Sequence, residues 1–246
     1  MASENKKHIH MILRMKKMEA YVMRKDLTEL VFILDRSGSM SGLESDTIGG
    51  FNSLISKQKK ESGQALISTV LFDDEMEVLY DRVLLDQIEP MNDSQYYVRG
   101  CTALLDAIGG AIHHIGNVHK YVREEDRPEK TIFIIMTDGM ENSSRRYTYD
   151  KVKRMVERQR ERYGWEFLFL GANMDAIKVA GRFGVKASRA VNYECDSEGT
   201  KLNYEVLSKA VSKVRACRKE SAAAAFDLMP NWSDEIQKDY KKRHRR

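Results

Sequence analysis

Cysteine is scarce in this chain. Its 246 residues include three cysteines, Cys101, Cys195 and Cys217, which are widely spaced and form no metal-ligand pattern. Such a small, odd set excludes a disulfide framework and a cysteine-based zinc site, and it is typical of proteins whose thiols stay reduced. The sequence therefore predicts a cytoplasmic protein.

Long hydrophobic runs are also missing. No apolar stretch reaches the roughly 20 residues that a membrane-spanning helix needs. Near the start of the chain, Arg14, Lys16, Lys17 and Glu19 interrupt any apolar segment, and no small-residue cleavage site follows, which is unlike a secretory signal peptide. We therefore expect a soluble protein without a membrane span.

Positive charge is concentrated at the two ends of the chain. The formal net charge is +4, but residues 1–25 hold seven Lys and Arg against two acids, and residues 241–246 hold five against none. The other residues carry 35 acids against 29 bases, so the body of the protein is acidic. We interpret the terminal KKRHRR as a solvated, frayed tail, and the basic run at 151–162 as a solvated helix face with interleaved acids. Nucleic acid is therefore not the expected partner.

The hydrophobic pattern alternates between strands and helices from residue 29 onward. Apolar runs predict strands at 29–35, 65–73, 75–85, 131–138, 165–172 and 187–193. Helical periodicity predicts helices at about 41–61, 103–117, 149–163, 175–183 and 201–222. The first helix is expected to start with a capping box of Ser41 and Glu44. The second and third strands are too close for a crossover helix and must form an antiparallel hairpin.

These elements predict an α/β fold of three layers. Its doubly wound, mostly parallel six-stranded sheet would have one antiparallel edge strand. We place this domain at residues 28–222. Residues 1–27 are expected to form a helical extension, because methionines recur there at helical spacing, and residues 223–246 a basic tail.

Polar side chains cluster at the predicted carboxyl ends of two strands and at the start of one helix. Asp35, Ser37 and Ser39 follow the first strand, Thr102 opens the second helix, and Asp138 ends the fourth strand. In open α/β sheets such positions converge on one crevice. All five side chains are hard oxygen donors, a set that suits Mg²⁺ or Mn²⁺ better than Zn²⁺ or copper. The sequence therefore predicts a divalent-metal site.

The motifs that carry these residues resemble a known family. DRSGSM after an apolar strand, RGCTALLDAI and IFIIMTDGMEN are similar to the segments that build the metal-ion-dependent adhesion site of von Willebrand factor A domains. That site has the pattern D-x-S-x-S with a distant Thr and a distant Asp. The resemblance extends over residues 28–220 and is strongest to the small intracellular bacterial members.

The resemblance implies roles for the five residues. The hydroxyls of Ser37, Ser39 and Thr102 would be direct or near-direct metal ligands, while Asp35 and Asp138 often act through water in the family. The remaining position on the metal would take an Asp or Glu carboxylate from a partner protein, such as an ATPase or another component of a bacterial complex. The expected function is metal-dependent protein binding, not catalysis.

Five further residues are predicted around this site. Met40, Cys101, Glu141 and Asn142 would line the rim of the binding face, with Cys101 as a buried, inert thiol. Asp106, in the first turn of the second helix, would either support the site or solvate that turn. The sequence leaves both roles of Asp106 open.

Two rival functions are also open on the residues alone, a metal-assisted phosphohydrolase and a scaffold with a vestigial site. Haloacid-dehalogenase phosphatases also place an aspartate after the first strand, but they use D-x-D, and Ser37 here replaces the proton-transferring carboxylate. His113 and His114 are the candidate bases, yet about eleven residues of helix put them roughly 16 Å from Thr102. The turn has no G-x-S-x-G elbow and the chain no G-x-x-x-x-G-K-[ST] loop, which argues against serine hydrolases and P-loop enzymes.

Overall fold

The computed structural model describes residues 26–218 and 221–244. Within these ranges the strands are β1 Thr28–Asp35, β2 Ala65–Phe72, β3 Met76–Leu84, β4 Lys130–Thr137, β5 Glu166–Gly171 and β6 Ala190–Asn192. The helices are α1 Glu44–Gln58, α2 Leu104–Tyr121, α3 Tyr149–Tyr163, α4 Ala176–Arg182, α5 Ser197–Ala216, α6 Ala222–Phe226 and α7 Asp234–Arg243. None of these helices is long and apolar enough to cross a lipid bilayer. The predicted extension at 1–27 lies outside the described residues except for its last two.

The six strands form one sheet in the order β3-β2-β1-β4-β5-β6. Every neighbouring pair is parallel except β2 and β3, which form an antiparallel hairpin at the edge. All residues of β1 and β4 are buried, because helices cover both faces of the sheet, and this explains their continuous apolar runs. The predicted mostly parallel α/β sheet with one antiparallel edge strand is confirmed.

Two hydrophobic clusters fill the space between the sheet and its helices. Leu30 and Phe32 of β1 belong to the cluster under α1 and α5, whereas Val31 and Ile33 belong to the cluster under α2 and α3. The alternation follows from the two-residue period of a strand. Since β1 and β4 are central neighbours, the loops that leave their carboxyl ends meet at one edge of the molecule.

Helix α1 begins later than the sequence predicts. Residues Gly38–Met40 form a short 3-10 turn, and Leu43 occupies the N-cap of α1. The Glu44 carboxylate accepts the backbone N–H of Gly42 at 2.7 Å, so the predicted capping box with Ser41 is wrong. The physical reason is that the residues before Ser41 are held in a turn that positions Ser37 and Ser39, which leaves α1 to start after it.

The predicted basic tail at 223–246 contains most of α6 and all of α7, and the first three residues of KKRHRR, which were predicted to be frayed, belong to α7. Three side chains of this segment are buried in the hydrophobic cluster under α1 and α5. They are Phe226 of α6, Ile236 of α7 and Trp232, which lies between the two helices. Arg243, in the last turn of α7, pairs with Asp196 at the start of α5. The tail interpretation is therefore wrong for residues 223–243, because apolar side chains upstream of the terminal charges anchor this segment to the core.

Candidate metal centre

The D-x-S-x-S segment folds into a tight turn at the end of β1. Asp35 is the last residue of the strand and is buried, and its Oδ1 accepts the backbone N–H of Ser37 at 2.8 Å. The 3-10 turn at Gly38–Met40 then brings the hydroxyl of Ser39 to 3.1 Å from that of Ser37. All three polar side chains therefore belong to one turn.

Two more segments bring side chains to the same turn. The Thr102 hydroxyl, just before α2, donates to Ser37 Oγ at 3.2 Å. The Ser39 hydroxyl donates to Oδ1 of Asp138, which directly follows β4, at 2.5 Å. The structure thus brings together all five residues that the sequence predicts as metal ligands, from three separate parts of the chain.

The two carboxylates of the cluster lie out of contact with solvent. Asp35 and Asp138 are 1% and 2% exposed. Burial raises the pKa of Asp35 to about 6, and the charge of Asp138 adds to this rise, while hydrogen bonds from Thr137 and Ser37 oppose it. Two acidic groups therefore share one crevice of low dielectric constant.

The donor set and the space at this crevice fit a hard divalent cation. Hydroxyl and carboxylate oxygens are the ligands that Mg²⁺ and Mn²⁺ prefer. Gly139 borders the hydroxyls, since a Cβ added there would lie 3.1 Å from Thr102 Oγ1 and 3.2 Å from Ser39 Oγ. A larger residue would crowd these oxygens. In the described ranges, no group of three or more His, Cys, Asp or Glu side chains is placed to hold a metal ion; this cluster has two such residues, and its other oxygens are hydroxyls.

Two of the predicted rim residues support the cluster through backbone hydrogen bonds. Asn142 exchanges two bonds with Thr102, accepting its N–H through Oδ1 at 2.9 Å and donating its own N–H to the Thr102 carbonyl at 3.1 Å. The Glu141 carboxylate accepts the N–H of Leu105 in the first turn of α2 and the hydroxyl of Ser144. Both residues therefore hold the loop after β4 against the start of α2.

Asp106 holds the next part of the same loop. Its carboxylate accepts the backbone N–H groups of Arg145, Arg146 and Tyr147, each at 2.9 Å. The sequence left open whether Asp106 supports the site or only solvates its helix. The structure shows that it fixes the loop that continues from Asp138.

The structure places the other two predicted rim residues differently from the prediction. Met40 is 5% exposed, and it borders a small cavity behind Asp35 instead of an outer rim, because the 3-10 turn directs its side chain inward. Cys101 is exposed, so its interpretation as a buried thiol is wrong. The loop before α2 buries Thr102 and leaves Cys101 facing solvent.

Besides Thr137, whose hydroxyl donates to Asp35 Oδ2, sequence reasoning missed three residues that contact the two aspartates. The Tyr96 hydroxyl donates to the Asp35 carbonyl at 2.5 Å. Asn173 Nδ2 donates to the Asp138 carbonyl at 3.3 Å, and the Cys195 thiol donates to Asp138 Oδ2 at 3.4 Å. Burial, with a further contribution from the Asp138 charge, raises the pKa of Cys195 to about 12. All three lie in loops whose sequence shows no periodic pattern, so only the fold could reveal them.

A buried ion-pair network adjoins the turn. Arg36 is fully buried, and it donates through Nε to Asp73 at 2.8 Å and through Nη1 to Glu77 at 2.6 Å. Arg99 donates to the same Asp73 carboxylate at 2.7 Å. Arg36 occupies the second position of the D-x-S-x-S motif. Through Asp73 and Glu77 it connects the turn to the β2–β3 hairpin, and through the shared Asp73 carboxylate to Arg99 in the loop before α2.

Comparison with known proteins gives matches among solved structures only, since no protein-family model and no curated protein matches the chain. Proximal thread matrix protein 1 from the mussel byssus, with a zinc-occupied MIDAS motif, aligns at 16% identity with a TM-score of 0.52, covering 75% of this chain and 46% of that one. The pilus adhesin SpaC from Lactobacillus rhamnosus GG, in an open conformation, aligns at 10% identity with a TM-score of 0.55, covering 76% and 30%. The chain thus spans less than half the length of these two structures.

These likenesses concern the fold. One of the two structures has a zinc-occupied MIDAS motif, and the hydrophobic pattern of this sequence predicted the mostly parallel α/β sheet independently of these matches. The chain therefore has the fold of von Willebrand factor A domains.

Proposed function

We propose that this protein is a divalent-metal-dependent protein-binding module. Asp35, Ser37, Ser39, Thr102 and Asp138 would hold Mg²⁺ or Mn²⁺, and a carboxylate of a partner protein would complete the coordination. The observation that carries the proposal is the direct hydrogen-bond chain from Thr102 through Ser37 and Ser39 to Asp138. Oxygens that bond to one another in this way lie close enough to share one cation.

Each part of the chain has a distinct task in this proposal. The two aspartates supply the negative charge, and the three hydroxyls supply neutral oxygens without adding further charge. A bound dication would provide positive charge and a coordination position for an outside carboxylate. Asn142, Glu141 and Asp106 keep the contributing loops in register through their backbone hydrogen bonds.

The surroundings of the cluster favour binding over phosphate hydrolysis. Ser37 stands where a phosphohydrolase of the D-x-D type needs a second carboxylate, and its hydroxyl is engaged with Thr102 and Ser39. His113 and His114 lie on the exposed side of α2, where His113 contacts Asn117 and His114 contacts Asp81. Neither histidine contacts the cluster as a general base would.

We also propose that the protein acts in the cytoplasm. Cys101, Cys195 and Cys217 are all unpaired. Free thiols of this kind are typical of a reducing compartment. The mussel and bacterial proteins with the same fold act in other settings according to their names, and a shared fold does not carry a location with it.

Partner capture tests the proposed function. Immobilised protein loaded with Mg²⁺ should retain a partner that EDTA releases, and the Asp138→Ala variant should retain much less of it. Changing the partner's contacting Asp or Glu to the amide should abolish retention, because an amide brings no charge to the metal. Retention that survives chelation would contradict the proposal. Turnover of p-nitrophenyl phosphate that disappears in Asp35→Asn would favour the phosphohydrolase instead.

A further inference from the structure

A second concave surface lies between helices α2 and α3, and none of the five proposed metal ligands lines it. This α2–α3 groove has a volume of about 870 Å³, within the roughly 300–1,000 Å³ that is typical of small-molecule sites. Ile112, Met155 and Trp165 contribute apolar surface, and Gly116 lines its α2 side. Since glycine has no side chain, the groove stays open at this point of an otherwise regular helix.

Helix α3 contributes basic side chains, but no acidic ones, to the lining of the groove. Lys151, Met155 and Arg158 follow helical spacing and line the groove, and Tyr163 borders it at the end of the helix. The acidic residues of the helix are not among the residues that line the groove; Glu157 and Glu161 line a neighbouring concave surface, which Arg158 also borders. Within the groove itself, no acidic side chain of α3 accompanies Lys151 and Arg158.

The lining of the groove is strongly cationic. Lys120, Arg127, Lys151 and Arg158 contribute to it, and no Asp or Glu does. Lys151 and Arg158 make no ion pair with a carboxylate in the described part of the chain, where Lys151 instead lies 4.1 Å from the centre of the Tyr147 ring. In a protein body with more acids than bases, such a concentration of positive charge around one cavity favours an anionic ligand.

We propose that the α2–α3 groove binds a nucleoside phosphate. Lysine and arginine side chains are the groups that contact phosphate oxygens in proteins. The apolar floor and the half-exposed ring of Tyr163 offer surface for a base, and the amides of Asn117 and Gln159 offer donors and acceptors for its edge. Volume, charge and a mixed aromatic and amide lining are thus combined in one cavity.

The first test measures ligand binding by calorimetry in the presence of EDTA, with ATP as the probe. Chelation removes any contribution of the metal centre, so ATP binding that persists in EDTA belongs to a different site. Adenosine and tripolyphosphate should each bind at least about tenfold more weakly than ATP, because each occupies only part of the groove. The assignment to a nucleoside phosphate would be overturned if ATP did not bind or if tripolyphosphate bound equally well. If single-stranded RNA bound more tightly than ATP, the groove would instead be a nucleic-acid site.

The second test locates the site with matched variants. Lys151→Glu with Arg158→Glu should weaken ATP binding at least about tenfold. Lys153→Glu with Arg154→Glu makes the same change in charge on the same helix outside the groove and should alter binding less than about twofold. Gly116→Leu, which fills the groove without a charge change, should also abolish binding while thermal unfolding confirms that the variant is folded. Equal weakening by both charge pairs would show that ATP does not bind in the groove.

Discussion

At the scale of single residues, buried charge shapes the edge of the sheet that carries the candidate metal centre. Arg36 is buried next to Asp35 and donates to Asp73 and Glu77. A buried guanidinium is tolerated in the protein interior only when carboxylates are placed to pair with it. The ion pair therefore fixes the direction in which the turn leaves β1.

Replacing Arg36 by methionine should destabilise the protein strongly. Arg36→Met removes a fully buried guanidinium that pairs with both Asp73 and Glu77, and we expect the free energy of unfolding to fall by about 3–5 kcal/mol. The matched control is Arg99→Met, which removes a 42% exposed partner of the same carboxylate and should cost less than about 1 kcal/mol. Denaturant unfolding measures both, and equal losses would contradict the role of the buried pair.

Asp73 also gives the protein a predictable response to acid. Burial alone would raise the pKa of Asp73, but hydrogen bonds from Arg99, from the Glu75 backbone and from Arg36 outweigh it and hold the pKa below its ordinary value of 3.8. The unfolded chain thus binds the proton more tightly than the folded protein does. The ionised carboxylate stabilises the fold above about pH 3.8, and this contribution is lost as the pH falls through the lower pKa of the folded state.

The acid response can be measured by unfolding the protein at a series of pH values. The wild type should lose stability more steeply than Asp73→Asn between about pH 4 and about pH 2, because only the wild type has this carboxylate to protonate. Parallel pH profiles of the two proteins would contradict the assignment.

At the scale of elements, local signals determined some boundaries and tertiary contacts determined others. Helix α3 spans the predicted residues because Thr148 accepts the N–H of Lys151 at its start and Gly164 adopts a left-handed φ of 64° at its end. The start of α1 could not be predicted in this way. The 3-10 turn before α1 is set by contacts of Ser37 and Ser39 with residues 65 and 99 positions away along the chain.

The candidate site likewise contains some residues that the sequence could predict and others that only the fold reveals. The convergence of its five central residues was predictable because four of them stand at strand ends and Thr102 opens a helix, in a recognisable spacing. Three other features could not be predicted, because each depends on how loops from distant parts of the chain pack together. They are the inward direction of Met40, the exposure of Cys101 and the contact of Cys195 with Asp138.

The loop after β4 should loosen when Asp106 is removed. Asp106→Ala frees three backbone N–H groups at residues 145–147, and we expect a loss of about 1–3 kcal/mol in the free energy of unfolding. Hydrogen exchange at these three amides should become faster. Asp150→Ala, an exposed acid in the first turn of α3, is the control and should leave that exchange unchanged. Unaltered protection of residues 145–147 in Asp106→Ala would contradict the account.

At the scale of the whole molecule, the C-terminal segment completes the core on the face covered by α1 and α5. Trp232 is 8% exposed and donates through Nε1 to the Ser188 carbonyl at 2.8 Å. It therefore connects the segment to the turn before β6. The terminal charges alone gave no indication of this contact.

Truncating Trp232 should cost as much as a core substitution. Trp232→Ala removes a large buried ring and leaves the Ser188 carbonyl without its partner, so we expect the free energy of unfolding to fall by about 3–5 kcal/mol. Leu228→Ala, at a position 62% exposed in the same segment, should change it by no more than about 0.5 kcal/mol. Chemical denaturation distinguishes the two, and a small effect of Trp232→Ala would show that the segment contributes little to the fold.

The measurement that tests the central claim most directly is a calorimetric titration of metal-free protein with Mg²⁺ and Mn²⁺. The wild type should bind one ion, Ser39→Ala should bind it about 10- to 100-fold more weakly, and Asp138→Ala more weakly still. The control Asp150→Ala should bind as the wild type does. Identical titrations of the wild type and Asp138→Ala would contradict a metal centre at this end of the sheet.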